Sequence, residues 1–264
     1  MKRILGHVGS LLVCALAAGA AAPACTDNDQ SIFIRNALAP ATNRQNGSCT
    51  YTDDPQQPAL FEGTLDVGVR DNYFGVFLVG NQLIPRGDPL GPRAESSRAH
   101  INGGIVRVTR TDGTLIREFT SSSTGFADPQ NNNQPDYGLM GLITVDAPTS
   151  AILRDLLNAE AGAARVNVRT LSIQILANIR VFGRTLGGTE LESAEYQFPI
   201  RVCNGCLVTF PAGVNDSTKD PRPNCLGTPT NTTTSGDVAF PCFAGQDEGV
   251  NCKTCNGRPA CDFF

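Results

Sequence analysis

From Leu171 to Val181 every second residue is apolar: Leu171, Ile173, Ile175, Ala177, Ile179 and Val181, with Ser172, Gln174, Asn178 and Arg180 among the residues between them. Such a period belongs to an extended strand with one face on a core, because successive strand side chains point to opposite faces. The same period recurs. Phe61, Gly63, Leu65, Val67 and Val69 are expected inward, with Glu62, Thr64, Asp66 and Arg70 outward. Tyr196, Phe198, Ile200 and Val202 form another inward set, with Pro199 marking an edge or bulge position because it cannot donate to a ladder.

Turn chemistry separates these runs. Arg70-Asp71-Asn72 precedes Tyr73 to Val79, whose nearly unbroken apolar character predicts a strand covered on both faces. Thr111-Asp112-Gly113 joins Ile105–Thr109 to Leu115–Phe119 as a tight hairpin, and Gly187-Gly188 turns the chain again. Val166 and Val168 fall out of phase with the run that follows, which predicts a β-bulge near Arg169-Thr170. One stretch has helical spacing: Ile152, Leu153, Leu156 and Leu157, with Thr149 or Ser150 as cap and Gly162 after them. With Ser31–Arg35 and Leu139–Val145 added, about eight strands and one short crossover helix result. The expected fold is all-β, an antiparallel Greek-key sandwich of immunoglobulin-like type, with a barrel as the alternative.

The N-terminus sets a compartment. Lys2 and Arg3 precede a run, Ile4 to Ala22, without Asp, Glu, Lys or Arg, and Ala22-Pro23-Ala24-Cys25 leads into polar Thr26-Asp27-Asn28-Asp29. This is the layout of a cleaved signal peptide over 1–24. Small residues directly before Cys25 also resemble a bacterial lipobox, although Ala22 stands where an aliphatic residue is usual. Parity favours lipidation of Cys25. Of ten cysteines, Cys14 leaves with the signal; an acylated Cys25 leaves Cys49, Cys203, Cys206, Cys225, Cys242, Cys252, Cys255 and Cys261, an even set for disulfides. Seven of these lie from Cys203 onward, so complete intramolecular pairing requires Cys49 to reach one of them. The expected organisation is a lipid-anchored arm with the first strand (25–57), a β domain (58–206) and a cysteine-rich tail packed on it (207–264). That tail has too few apolar residues to fold without cross-links.

Other motifs are weaker. Cys203-x-x-Cys206 and Cys252-x-x-Cys255 could serve zinc, but their separation and an oxidising compartment favour disulfides, so no metal or cofactor is expected. Asp128 to Asp136 offers oxygen ligands without the closing glutamate of an EF-hand, which suits a polar loop better than calcium. His100, the one histidine beyond the signal, lies in an expected strand, and neither a nucleophile elbow nor a phosphate loop occurs. Arg86-Gly87-Asp88 and the acceptor triplets at Asn46, Asn215 and Asn231 read as turn composition. Removing Lys2 and Arg3 takes the formal charge from −4 to −6, which argues against a nucleic-acid partner.

The stretches Asp27–Arg35, Leu78–Leu83, Phe198–Cys206 and Pro241–Glu248 resemble uncharacterised outer-membrane lipoproteins of myxobacteria and related bacteria. The resemblance implies an outer-membrane location and no specific chemistry. The function expected is that of a non-catalytic envelope lipoprotein, a structural or protein-interaction module with an envelope protein as partner and the membrane reached through its lipid. Binding of a carbohydrate or another small ligand is the alternative, and a carboxylate-dependent hydrolase is the third reading.

Overall fold

In the computed structural model, residues 31–41, 49–88, 93–209 and 241–252 are described. They form two main sheets around a common core. The first sheet has the order β2-β1-β4-β7, where β1 is Ile32–Leu38, β2 Ala59–Leu60, β4 Tyr73–Asn81 and β7 Asp136–Val145. The second runs β3-β10-β8-β5-β6, with β3 Gly63–Asp66, β5 Ala99–Arg110, β6 Leu115–Ala127, β8 Ser172–Thr185 and β10 Tyr196–Cys203. A short β9, Glu190–Glu192, pairs with β8. β11 (Val208–Thr209), just after β10, pairs with β12 (Val250–Asn251).

The alternation sorts side chains as expected along β8 and β10. Ile173, Ile175, Ala177, Ile179 and Val181 are buried, as are Phe198, Ile200 and Val202. They meet Phe77, Tyr73, Met140 and Leu142 from the facing sheet in one apolar cluster. Edge-on ring contacts join Phe198 to Phe77 at 6.0 Å and Phe77 to Tyr196 at 6.1 Å. β4 is covered on both faces. Its Val76 and Leu78 form a second cluster with Leu38, flanked by Tyr51, Phe74, Tyr137 and Leu139.

Pairing is antiparallel with two exceptions. β3 lies parallel to β10, with Ile200 opposite Gly63 and Cys203 opposite Asp66, and β11 lies parallel to β12. Pro199 sits one residue before the β3 pairing begins, so only β8 flanks it there. The sheets approach each other at both sides. Phe61 and Glu62 carry the chain from β2 in one sheet to β3 in the other. On the far side β6 meets β7 so closely that a Cβ on Gly138 would collide with the Phe126 carbonyl oxygen, and one on Gly125 would lie 2.8 Å from that of Leu139. Only glycine permits that backbone approach.

Four local expectations are corrected. The bulge at 169–170 is instead a 3-10 turn over Val168–Thr170, because the Asn167 side chain accepts the Arg169 amide and the chain never enters a strand there. The helix, α1, spans Ala147–Ala164 and is longer than the short crossover expected. Asp146 caps it, its carboxylate accepting the Thr149 amide and hydroxyl, while Thr149 and Ser150 are themselves buried. Gly162 lies inside α1, and Arg165 ends it in the left-handed region at φ 55°. Phe61, expected inward, is 83% exposed, since the sheet switch at 61–62 breaks the phase. Asp66, expected outward, is fully buried.

Candidate functional site

Asp66 ends β3 at the point where three segments converge. Its Oδ1 accepts the amides of Gly68 at 3.0 Å and Gly205 at 2.7 Å, and its Oδ2 accepts that of Leu207 at 2.9 Å. Three amide donors offset the desolvation of a buried carboxylate, which would otherwise be strongly unfavourable. Two of these donors belong to the loop that carries the Cys203–Cys206 disulfide. Cys203 is buried and Cys206 exposed, and both sulfurs lie within 4.8 Å of a carboxylate oxygen of Asp66. Gly205, at φ 91°, turns the loop, and the Arg169 side chain lies against it, so that a Cβ there would fall 2.9 Å from Arg169 Cγ.

The tail segment 241–252 docks beside this loop. Gln246 bridges antiparallel to Leu65, Asp66 N donates to the Gly245 carbonyl at 2.9 Å, and Asp247 N donates to that of Thr64 at 2.9 Å. The tail therefore extends the free edge of β3. Gln246 at the same time serves β4: its Oε1 accepts the Phe74 amide at 2.9 Å and its Nε2 donates to the Phe74 carbonyl at 2.7 Å. One side chain thus stands in for a strand partner at an edge that β1 does not reach, since β1 pairing stops at Ala37 opposite Phe77. Asp247 completes the clasp. Its Oδ1 accepts the Thr64 amide at 2.7 Å and its Oδ2 accepts the Tyr73 hydroxyl at 2.8 Å. Burial pushes the Asp247 carboxyl above its ordinary range despite these donors. Tyr73 is raised well above its own, by burial first and by the Asp247 charge second.

Cys49 of the arm is bonded to Cys242 of the tail across 193 residues, with Cα atoms 5.7 Å apart. Among the possible partners in the tail, it is Cys242 that the arm reaches. In the chain-entropy account, closing a loop of that length stabilises the fold by about 5 kcal/mol, against about 2 for a four-residue loop such as 203–206. Cys252 is also disulfide-bonded. Cys25, Cys225, Cys255 and Cys261 lie outside the described residues, as do residues 1–24, Asn46, Asn215 and Asn231.

The remaining candidates are engaged in local structure. His100 stacks on Phe126 on the outer face of the second sheet, ring centroids 4.6 Å apart, with Arg98 over the same ring. Asp128 pairs with Arg98 at 2.9 Å, and Asp136 accepts the Tyr137 amide, while Asn132 and Asn133 make a left-handed turn between them. The carboxylates at the two ends of 128–136 thus have partners of their own. In the Arg86-Gly87-Asp88 loop, the Glu95 carboxylate accepts the Arg86 and Gly87 amides, and also that of Ser97. A shallow cleft of about 500 Å³ lies on the outer face beside the β5–β6 turn, lined by Arg107, Thr109, Asp112, Leu176, Asn178 and Gln197. Asn178 Nδ2 donates to the Arg107 carbonyl and Thr109 Oγ1, Gln197 Nε2 donates to Asn178 Oδ1, and Arg107 pairs with Glu195 at 3.0 Å.

Sequence reasoning missed Asp66, Gln246 and Asp247 as organising residues. The one available signal was their placement: an aspartate two residues before a Gly-Val turn, and a Gly-Gln-Asp run within a disulfide tail. Comparison with protein-family models, with curated proteins and with solved structures finds no match to this chain.

Proposed function

We propose that the chain is a non-catalytic lipoprotein of the cell envelope, held at the outer membrane through acylated Cys25 and serving as a structural or protein-interaction module. The observation that carries this reading is the Cys49–Cys242 bond. A disulfide of this separation persists in an oxidising compartment, and it ties the segment that follows the anchor to the far end of the chain. Force or orientation imposed at the membrane would then pass directly into the body of the domain. The fully buried Asp66 and the partly buried Asp247 hold chain segments through amide and phenol hydrogen bonds, which suits architecture better than acid–base chemistry. The resemblance of the stretches around Asp27–Arg35 and Phe198–Cys206 to myxobacterial lipoproteins points the same way.

For the scaffold, we read a Greek-key sandwich related to the immunoglobulin type. Two facing sheets around one core, together with a helix that crosses from β7 in one sheet to β8 in the other, support it. The polar cleft beside Asn178 is what favours the alternative, a small-ligand binding lipoprotein.

Intact mass of the protein recovered from envelope fractions tests the anchor. Diacylglycerol on Cys25 is expected, and Cys25→Ala should release the chain from the membrane with its thermal midpoint unchanged. An unmodified Cys25 in a membrane-free fraction would refute the anchor. In-cell crosslinking should then recover an envelope protein, and recovery of none would count against the interaction role.

A further inference from the structure

The Cys203–Cys206 bond differs from Cys49–Cys242 in what depends on it. Its loop keeps its shape by other means: Gly205 N and Leu207 N donate to Asp66, Val67 N donates to the Cys203 carbonyl at 2.8 Å, and Cys203 is paired with both Asp66 and Ser172 in the sheet. Opening the bond would let the two sulfurs swing apart by side-chain rotation while these contacts hold the loop backbone in place. It also closes a loop of sequence separation 3, so little unfolded-chain entropy is tied to it. Cys206 is an exposed residue and so the side open to an incoming group, whereas its partner Cys203 is buried. The Arg169 side chain lies over the turn between them, at Gly205, and its charge is set against that of Asp66.

We propose that Cys203–Cys206 is an exchangeable disulfide that accepts two electrons from a dithiol of a partner protein, with Cys206 as the sulfur attacked. The partner's thiolate forms a bond to Cys206 Sγ. The Cys203–Cys206 bond breaks, and its electron pair leaves on Cys203 Sγ, which takes up a proton. The Leu65 carbonyl oxygen, 3.8 Å from that sulfur, is an acceptor for the new S–H. The partner's second thiol then attacks the partner sulfur of the mixed disulfide, and Cys206 departs and is protonated. Two electrons and two protons pass from the partner, which leaves as a disulfide. This exchange does not depend on the lipid anchor, so its failure would leave the envelope reading intact.

The test uses the full chain without its signal, titrated with dithiothreitol, quenched with an alkylating reagent and mapped by peptide mass. Cys203 and Cys206 should become labelled together at a reductant concentration at least about tenfold below that needed for Cys49 and Cys242, with the circular dichroism spectrum unchanged. Joint reduction of both bonds, or unfolding on opening 203–206, would overturn the proposal. Two variants then assign the roles. Cys203→Ser leaves the exposed thiol and should form a mixed disulfide with oxidised glutathione, whereas Cys206→Ser should form it at least about tenfold more slowly. The reverse order would refute the assignment. Zinc alone, added to the reduced chain, provides the last arm. Tight binding of one ion that is lost in Asp66→Asn would show a metal site in place of an exchange site.

Discussion

β10 and the tail segment Gly245–Asp247 both lie beside β3, one on each of its edges, yet they are held there by different means. β10 presents an unbroken ladder and an apolar face, with Phe198, Ile200 and Val202 sealed in the core. The tail brings one bridge, two backbone bonds and four side-chain hydrogen bonds made by Gln246 and Asp247. Burial of apolar area is cooperative and spread over many residues, so the β10 side should melt only with the whole domain. A clasp of polar groups can open by itself while the disulfides at Cys242 and Cys252 still tether the segment. Stability along this molecule therefore falls from the ring cluster toward the tail, even though the two regions are neighbours in space.

The largest effect is expected from the core. Phe198→Ala removes the ring that touches both Tyr73 at 5.8 Å and Phe77 at 6.0 Å, and should lower global stability by about 3–5 kcal/mol. Chemical denaturation should show it in every probe at once. A loss confined to the tail would break the contrast.

A smaller and local effect is expected from Gln246→Ala. The Phe74 amide and carbonyl lose their partners, which weakens tail docking by about 1–3 kcal/mol. Hydrogen exchange should rise across the described tail residues, 241–252, and at Phe74, with protection in β8 and β10 retained. Equal loss of protection in β8 would show that the tail and the core open as one unit.

The smallest effect concerns pH, and it has opposite signs in two places. Asp247 has its carboxyl raised by burial when the tail is docked, so its contribution to docking is complete below the ordinary carboxylate range and is lost as pH rises through the raised value. Asp146 is the reverse. Burial opposes its ionisation, but hydrogen bonds from Thr149 and the Arg117 guanidinium outweigh it and lower the value. Its cap on α1 is therefore complete above the ordinary range and fades as pH falls through the lowered value. Hydrogen exchange corrected for intrinsic rates between about pH 3 and 7 should show tail protection falling with pH and protection at the start of α1 rising. Parallel slopes would remove the distinction.

How far these features could be read in advance follows the same division. Inward positions of β8 and β10 were legible because period two is a property of the extended backbone itself. The Asp112-Gly113 turn was legible too, Gly113 adopting φ 87° between β5 and β6. The helix start was missed by a few residues, since Asp146, Thr149 and Ser150 are all good caps and only packing shows that the latter two are buried. Phe61 was misplaced because strict alternation assumes one sheet, and the chain changes sheets beside it.

What the sequence determined by itself was the all-β character, the inward set of the long strands, and a cysteine count in which Cys49 needs a partner from the tail. Those properties depend on neighbours within a few residues, or on counting. Tertiary structure alone decided that Cys242 is that partner, that Asp66 is buried, and that Gln246 completes the edge of β4. The donors to Asp66 at Gly205 and Leu207 are 139 and 141 residues away, and Gln246 is 172 residues from Phe74. No local pattern encodes such a meeting. A carboxylate becomes favourable in the interior only once folding has brought distant amides to it, and that is a property of the assembled chain.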